Sequence, residues 1–228
     1  MTVACTLAEL DLDRDGVKLH PGLALPMLAG FETVLGRMPD GRAGLRIAAE
    51  PELATLLGVA GPVSTAVRET LGEGAQPVRA VLFDKNDEAG WALGWHQDRT
   101  IAVLRKVEAP GFGPWTVKQG ITHVEPPFAV IEGMLTVRIH LDPVDAENAP
   151  LLVASSSHRL GRIPAAEAEA VAARLPNHVC LAKIGDVWFY RTPILHASNA
   201  ARPGRRRRVL QVDYAIGALP FGLEWLGI

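Results

Sequence analysis

The chain has only two cysteines, no long apolar run and no marked excess of charge of either sign. Cys5 and Cys180 lie far apart and form no CxxC pair, so both are interpreted as free thiols of a reducing cytoplasm. No apolar stretch reaches the roughly 18 residues of a membrane span. Residues 1–10 have neither the basic nor the long apolar part of a secretory leader. We therefore expect a cytoplasmic protein with no membrane partner.

The balance of charges excludes one large class of function. The 23 basic and 25 acidic residues give a net charge of −2, which does not suit a protein whose task is to neutralise nucleic-acid phosphates. No nucleic-acid partner is therefore expected. A chain of 228 residues can bury roughly 70% of its unfolded surface, so it needs no structural metal to fold. Any metal site would therefore be expected to serve chemistry.

Several familiar motifs are absent or incomplete. There is no GxSxG and no Walker A sequence, so serine-hydrolase and P-loop chemistry have no support. Residues 11–16 read DLDRDG, like the beginning of an EF-hand loop, but Gly22 stands where that loop requires glutamate. This segment is predicted to be a turn.

The pattern of the chain predicts one domain over residues 1–228, with a mainly helical part at 1–75 and a β-rich part at 78–216. The first part has a short strand and turn, followed by three segments with helical spacing. The second consists of short β-branched segments separated by Gly, Pro, Asn and Asp, with one interruption of strong helix formers. The strand and turn lie at 16–23 and the helix candidates at 24–37, 52–57, 62–71 and 164–174. The predicted class is mainly β with flanking helices, as a barrel or sandwich.

A metal-binding pattern begins at GWHQD, residues 94–98. His96 and Asp98 are two positions apart, so on an extended strand both side chains point to one face. His196 lies downstream in ILHAS, in an apolar setting. A buried histidine bonded to a backbone carbonyl is the simpler interpretation of His196 alone. Two histidines and one carboxylate on a β-rich scaffold nevertheless match the facial triad of non-haem Fe(II) oxygenases.

A carboxylate-binding residue follows the triad. Arg207 comes eleven residues after His196, at the beginning of a strand, and a guanidinium can hold a carboxylate by two hydrogen bonds. If ILHAS is extended, Ser198 shares the face of His196 and its hydroxyl can donate to the same carboxylate. The neighbouring Arg205, Arg206 and Arg208 are expected to be mostly solvated.

The predicted strand at 134–141 alternates between polar and apolar residues. Thr136, Arg138 and His140 share one face with Met134, so they could line the interior beside the metal, although a face in water is the alternative. Residues 91–99 and 107–127 are predicted to be loops over the mouth of a pocket. Lys118 and His123 in the second loop could contact an acidic or polar substrate, although a solvated role is the simpler expectation for each.

These motifs together resemble the phytanoyl-CoA dioxygenase family of 2-oxoglutarate oxygenases. The resemblance runs from about residue 78 to 216 and rests on GWHQD, on MLTVRIHLDPVDAENAPLLVASSSHRLG, on GDVWFYRTPILHAS and on the strand led by Arg207. The family's Pro-Gly-Ser-His turn is written here as Ser-Ser-Ser-His at 155–158. That departure concerns the geometry of the turn and no metal ligand.

The resemblance implies a double-stranded β-helix, or jelly-roll, core. It implies Fe(II) bound by His96, Asp98 and His196, and 2-oxoglutarate bound by Arg207 with Ser198 beside it. O₂ is the co-substrate, and 2-oxoglutarate is converted to succinate and CO₂. Because Asp98 is present where halogenating relatives have a small residue, hydroxylation or a related oxidation of a small molecule is favoured over halogenation.

Two other functions stay open at this point. One is a jelly-roll metalloenzyme that does not use 2-oxoglutarate, against which the position of Arg207 argues. The other is a catalytically inactive relative that only binds a ligand, against which the complete triad argues. The sequence leaves the substrate and the oligomeric state open.

Overall fold

The computed structural model describes residues 10–39, 44–58, 61–85, 92–200 and 206–228. Its strands in chain order are β1 (Val17–His20), β2 (Leu45–Ile47), β3 (Ala75–Lys85), β4 (Leu93–His96), β5 (Ile101–Val103), β6 (Trp115–Lys118), β7 (Ile121–Val124), β8 (Leu135–His140), β9 (Leu151–Ala154), β10 (Asn177–Cys180), β11 (Val187–Arg191), β12 (His196–Ser198) and β13 (Arg207–Ile216). The helices are α1 (Leu28–Leu35), α2 (Pro51–Leu56), α3 (Pro62–Leu71), α4 (Phe128–Glu132) and α5 (Ala168–Ala172). Among these residues, no helix is both long and apolar enough to cross a membrane.

Two antiparallel sheets form the core. The larger has the strand order β1-β11-β8-β13-β3-β2, and the smaller has the order β10-β9-β12-β4. Trp188 and Tyr190 of the larger sheet pack in one apolar cluster with Leu151 and Val153 of the smaller sheet. The sheets therefore face each other as a jelly-roll, and the predicted class, mainly β with flanking helices, is confirmed.

The N-terminal helices cover the outer face of the larger sheet. Leu135, Val137 and Ile139 alternate along β8 and are fully buried against α1 and α2, where they meet Phe31 and Leu53. This is the apolar face that the alternation in β8 predicts. Proline at the first position of α2 and of α3 suits a helix start, because the missing N–H would have no partner there. The sheet is thus closed to water on this side, which leaves its other face for the site.

The register of the larger sheet aligns polar residues across four strands of its inner face. Arg46 on β2 is opposite Val81 on β3, Val81 is opposite Gln211 on β13, and Gln211 is opposite Arg138 on β8. One step along the strands, Arg79 is opposite Asp213, and Asp213 is opposite Thr136. Directly opposite residues share a face of the sheet. Charged residues that are far apart in sequence therefore meet on one surface.

The prediction of loops at residues 91–99 and 107–127 was wrong, because strands form within both segments. Residues 93–96 form β4, and residues 115–118 and 121–124 form the hairpin β6–β7, which pairs with β5 in a three-stranded sheet. Gln119 and Gly120 between the two hairpin strands both have positive φ, which is typical of a tight two-residue turn. The side chain of Gln119 then binds the edge of the larger sheet: its Oε1 accepts from the Arg46 N–H at 2.9 Å, and its Nε2 donates to Gly44 O at 2.9 Å.

The predicted turn at 11–16 contacts the Ser-Ser-Ser-His turn. Ser156 donates its N–H to Asp15 O at 2.9 Å and its hydroxyl to Arg14 O at 2.7 Å. Ser155 donates to the Asp15 carboxylate at 3.1 Å. Ser156 itself has φ of 65°, the left-handed conformation that usually favours glycine. The two turns therefore hold each other in place at the end of the smaller sheet.

Candidate active site

The three predicted metal ligands come together. His96 is the last residue of β4 and His196 the first of β12, and the two are directly opposite in the ladder. Asp98 follows two residues after β4. One ligand atom from each residue lies within 4.8 Å of the others, and the two imidazole rings are 4.3 Å apart between centroids. This group could hold a metal ion, with two nitrogens and one carboxylate oxygen as donors.

The hydrogen bonds of the two histidines suit metal ligation. Nδ1 of His96 lies 2.8 Å from Gly94 O, and Nδ1 of His196 lies 3.0 Å from Ile194 O. A carbonyl can only accept, so each Nδ1 carries the proton and each Nε2 keeps its lone pair free. Burial and the neighbouring His96 lower the pKa of His196 to about 4, so His196 is neutral near pH 7. Both rings therefore leave Nε2 free of the backbone, and Nε2 is the atom through which an imidazole can bind a divalent metal.

Gln97 lies between His96 and Asp98, and its hydrogen bonds fix the position of this segment. Its buried amide donates to Gly161 O at 2.9 Å and to Pro193 O at 2.7 Å, and it accepts from the Ile163 N–H at 2.9 Å. These bonds connect the end of β4 to two other segments. The side chain between His96 and Asp98 therefore holds the backbone that aims both ligands.

A buried arginine stands behind the carboxylate ligand. Arg79 on β3 donates to Asp213 on β13 at 2.5 Å, and its guanidinium lies 3.6 Å from the Asp98 carboxylate. Burial raises the pKa of Asp98, but Arg79 and the two histidines outweigh that effect and hold the pKa below its usual value. Asp98 is consequently a carboxylate at neutral pH. Gln211 lies 3.5 Å from the same carboxylate, from the side of β13.

The triad opens into a cavity of about 720 Å³ between the two sheets. Arg207, Ser198, Arg138 and Lys118, all predicted from the sequence, contribute to its lining. Arg207 is 2% exposed and donates to Ala149 O, and it has no ion pair with any of the residues that the structure describes. Burial and the nearby Arg138 lower the pKa of Arg207 to about 9. A buried guanidinium without a carboxylate is stabilised when an anion enters the cavity.

The other predicted pocket residues lie elsewhere. Thr136 is fully buried beneath the lining, where it donates to Asp213 at 3.0 Å. His140 is buried two rows beyond Thr136 along β8, and His123 is buried in β7, and neither belongs to the lining. Thr136 and His140 share a face of β8 with Arg138, which does line the cavity, but both are buried outside the lining.

One arginine after residue 204, Arg208, also differs from expectation. Arg208 binds Asp142 at 2.8 Å and Glu32 at 2.7 Å and is about one-fifth exposed, so it is not a solvated residue. Arg206 pairs with the buried Asp84. Both arginines were expected to be mostly solvated. For Arg208 that expectation was wrong, because its acidic partners come from distant segments, whereas the side chain of Arg206 is 51% exposed. Arg205 lies outside the described residues.

Three residues of the site were missed in the sequence. Arg79, Arg46 and Gln211 all face the cavity. The sequence did contain a signal for Arg79, because Arg79 is the only charged residue of the apolar segment 78–83. A charge inside such a strand is stabilised by a partner, but the identity of that partner depends on the register of β3 with β13.

Comparison with known structures shows the same fold. The epimerase SnoN from nogalamycin biosynthesis, described as non-haem and α-ketoglutarate-dependent, is 16% identical with a TM-score of 0.62 over 91% of this chain and 80% of its own. EctD from S. alaskensis, solved with 2-oxoglutarate and 5-hydroxyectoine, is 18% identical with a TM-score of 0.64 over 90% and 73%. The carbocyclase SnoK, from the same biosynthesis as SnoN, is 16% identical with a TM-score of 0.64 over 98% and 90%.

No curated protein sequence matches the chain. A family does match: residues 58–209, about two-thirds of the chain, correspond to phytanoyl-CoA dioxygenase. The matched segment contains His96, Asp98 and His196 together with Arg207. The chain therefore belongs to the phytanoyl-CoA dioxygenase family and is a 2-oxoglutarate-dependent oxygenase whose cofactors are iron and 2-oxoglutarate.

Proposed function

We propose that this protein hydroxylates, or otherwise oxidises, a small molecule, with O₂ as co-substrate and 2-oxoglutarate converted to succinate and CO₂. In this proposal Fe(II) is held by His96, Asp98 and His196. The observation that carries it is the pair of free Nε2 atoms and the ionised Asp98 at one end of a cavity that also contains the buried Arg207, which pairs with no described carboxylate.

Arg207 and Ser198 bind the far carboxylate of 2-oxoglutarate. Both line the cavity, and the guanidinium of Arg207 is nearly inaccessible from outside it. An entering carboxylate replaces water around a cation that burial already destabilises, so the pair gains a charge-assisted hydrogen bond. The jelly-roll metalloenzyme that does not use 2-oxoglutarate has no need of such a residue.

The remaining groups orient the reaction. Iron and 2-oxoglutarate, when bound, supply the O₂-activating chemistry that breaks a C–H bond of the substrate. Arg79 and Gln211 hold the carboxylate of Asp98 toward the histidines. Arg138 lies on the inner face beside Gln211, to which it donates at 2.9 Å, and it is placed to contact the substrate or the co-substrate. Lys118 is placed on the opposite side, on β6.

The first experiment is anaerobic addition of Fe(II) and then 2-oxoglutarate to the metal-free protein. A chelate of the two is expected to give a weak visible metal-to-ligand charge-transfer band. The band should form in the wild type, disappear in His196→Ala, and disappear in Arg207→Ala at the same concentration of 2-oxoglutarate. Succinate release under air should likewise occur in the wild type and be lost in His196→Ala and in Arg207→Ala.

The matched control is Arg105→Ala, which removes an exposed arginine that is not part of the lining. It should behave as the wild type. If folded, iron-loaded wild type gives no band and no succinate, the proposal is wrong, and a jelly-roll metalloenzyme that does not use 2-oxoglutarate, or an inactive ligand-binding relative, takes its place.

We also propose that the protein works in the cytoplasm. Support comes from Cys180, which is a free and fully buried thiol.

A further inference from the structure

The cavity has far more positive than negative side chains. Among the described residues of the lining, Asp98 is the only acidic one, whereas six are cationic: Arg46, Arg79, Arg99, Lys118, Arg138 and Arg207. Arg79 is neutralised by Asp213, and Asp98 is used by the metal. Arg207 and Arg138 lie on the side where 2-oxoglutarate is proposed to bind. The cations on the opposite side have no such assignment.

Arg46 and Lys118 form this second positive site. Arg46 lies on the edge strand β2 and Lys118 at the end of β6, and neither has an ion pair with any residue that the structure describes. The Nε of Arg46 is buried and finds no hydrogen-bond partner among those residues. Burial lowers the pKa of Lys118, and Arg46 and Arg79 lower it further, so these cations are close enough to repel one another.

The fold keeps these two cations close together. Gln119, the residue after Lys118, binds the backbone of both Arg46 and Gly44. The tip of the β6–β7 hairpin is thereby attached to β2, which brings the two positive charges to one wall of the cavity. Like charges placed together in a partly buried wall cost free energy unless an anion joins them.

The site is within reach of the metal centre. Arg46 is in the same cross-strand row as Val81 and Gln211, and Gln211 contacts Asp98. The charge of Asp98 also acts on both Arg46 and Lys118. A molecule whose anionic group rests on this wall can therefore place its carbon skeleton over the metal.

From this geometry we infer that the substrate is an organic anion, a carboxylate or a phosphate ester, whose charged group is bound by Arg46 and Lys118. The inference rests on the proposed function, because it treats Arg207 as occupied by 2-oxoglutarate. It adds the chemical class of the substrate and the two residues that select it.

The test uses the protein loaded anaerobically with Fe(II) and saturating 2-oxoglutarate, with loading checked by the visible band. Hexanoate, hexyl phosphate and the neutral hexanamide are titrated into it by isothermal titration calorimetry. At least one of the two anions should bind roughly ten-fold or more tightly than the amide, as a charge-assisted contact predicts. The tighter anion identifies the headgroup.

The variants are Arg46→Gln, Lys118→Gln and the double variant, with Arg105→Gln as the control outside the cavity. Each single change should weaken binding of the preferred anion about ten-fold and leave the amide unchanged. The visible band should persist in all of them, which shows that the folded metal centre is intact.

Three results overturn the inference: equal affinity for all three probes, no detectable binding of either anion, or a preference that survives in the double variant. A wild type that binds no anion but forms the band defeats this inference alone. A wild type that never forms the band defeats the proposed function and, with it, this inference.

Discussion

At the scale of single residues, the ion pair of Arg79 and Asp213 is the feature on which the carboxylate ligand depends. Asp213 is 1% exposed and also accepts from Thr136 at 3.0 Å. Burial raises its pKa, and Arg79 is the cation that opposes this effect. The same guanidinium lies 3.6 Å from Asp98, so one side chain both neutralises a buried carboxylate and positions a proposed metal ligand.

Replacement of Arg79 by methionine should destabilise the protein by about 3–5 kcal/mol, because it leaves Asp213 buried without its cation. The free energy of unfolding is measured by chemical denaturation in the presence of a chelator, so that bound metal makes no contribution. The affinity for Fe(II) should also fall, since Asp98 loses the group that positions it.

The matched control is the double variant Arg79→Met with Asp213→Asn, in which positions 79 and 213 both lose their charge and the amide can still accept from Thr136. It should recover a large part of the lost stability while its affinity for Fe(II) stays low. A double variant no more stable than Arg79→Met would show that an uncompensated charge on Asp213 is not the cause of the loss.

The sequence predicted His96 and Asp98 as candidate metal ligands because the chemistry of His-x-Asp is visible in three consecutive residues. It could not predict the partner of Arg79, because Asp213 is 134 residues away and the pair depends on strand register. The same reason explains Arg208, whose partners Glu32 and Asp142 lie in other segments. Contacts between distant segments are fixed only by the packing of the whole sheet.

At the scale of secondary-structure elements, the turn at 155–158 shows how this chain accommodates the absence of a glycine. Ser156 keeps the left-handed conformation and uses its hydroxyl to bind Arg14 O. A left-handed conformation costs a residue with a side chain about 1–2 kcal/mol. The hydrogen bonds to the turn at 11–16 offset this cost.

The variants Ser156→Ala and Ser156→Gly separate the two effects. Both lose the hydroxyl, but only alanine keeps the steric cost of a positive φ. Ser156→Ala should therefore be destabilised by about 1 kcal/mol or more, and Ser156→Gly should be more stable than Ser156→Ala by about 1 kcal/mol. Thermal or chemical unfolding of the pair gives the comparison, and a glycine variant less stable than the alanine variant would contradict it.

The hairpin β6–β7 is one element that the sequence pattern did not predict. Two four-residue segments with β-branched residues flank Gln119-Gly120, and a two-residue connection that ends in glycine is a signal for a hairpin. The surrounding glycines and prolines at 109–114 and 126–127 obscured that signal and favoured a loop. The helix α3 was predicted with its bounds correct, since its first proline and the Gly72 after its last residue mark both ends.

At the scale of the whole molecule, the site joins parts of the chain that are far apart in sequence. The ligands come from the smaller sheet and the segment after it, most of the cations and Asp213 from the larger sheet, and Lys118 from the three-stranded sheet. Because all three sheets contribute residues to the lining of one cavity, we propose that residues 1–228 unfold as one cooperative unit.

Binding of Fe(II) and 2-oxoglutarate should raise the unfolding temperature in a single transition. At about 100 times the dissociation constant, a ligand adds about 2.7 kcal/mol, which corresponds to roughly 5–10 °C for a chain of this length. Differential scanning calorimetry under anaerobic conditions measures the shift. His196→Ala should show a much smaller shift, and two separate transitions in the wild type would contradict the proposal of one domain.

Because β4 lies at the edge of its sheet, metal binding is also expected to affect how firmly that strand is held. β4 is the last strand of the smaller sheet, where the described strands pair with it on one side only, through β12, and the two histidines face each other across that pair. A bound ion thus fastens an edge strand to its neighbour. When the ion is removed, fraying of β4 exposes the unpaired backbone of β12 as a template for another chain. The protein without iron should therefore self-associate more readily than the iron-bound protein, and its stability on storage should depend on the bound metal.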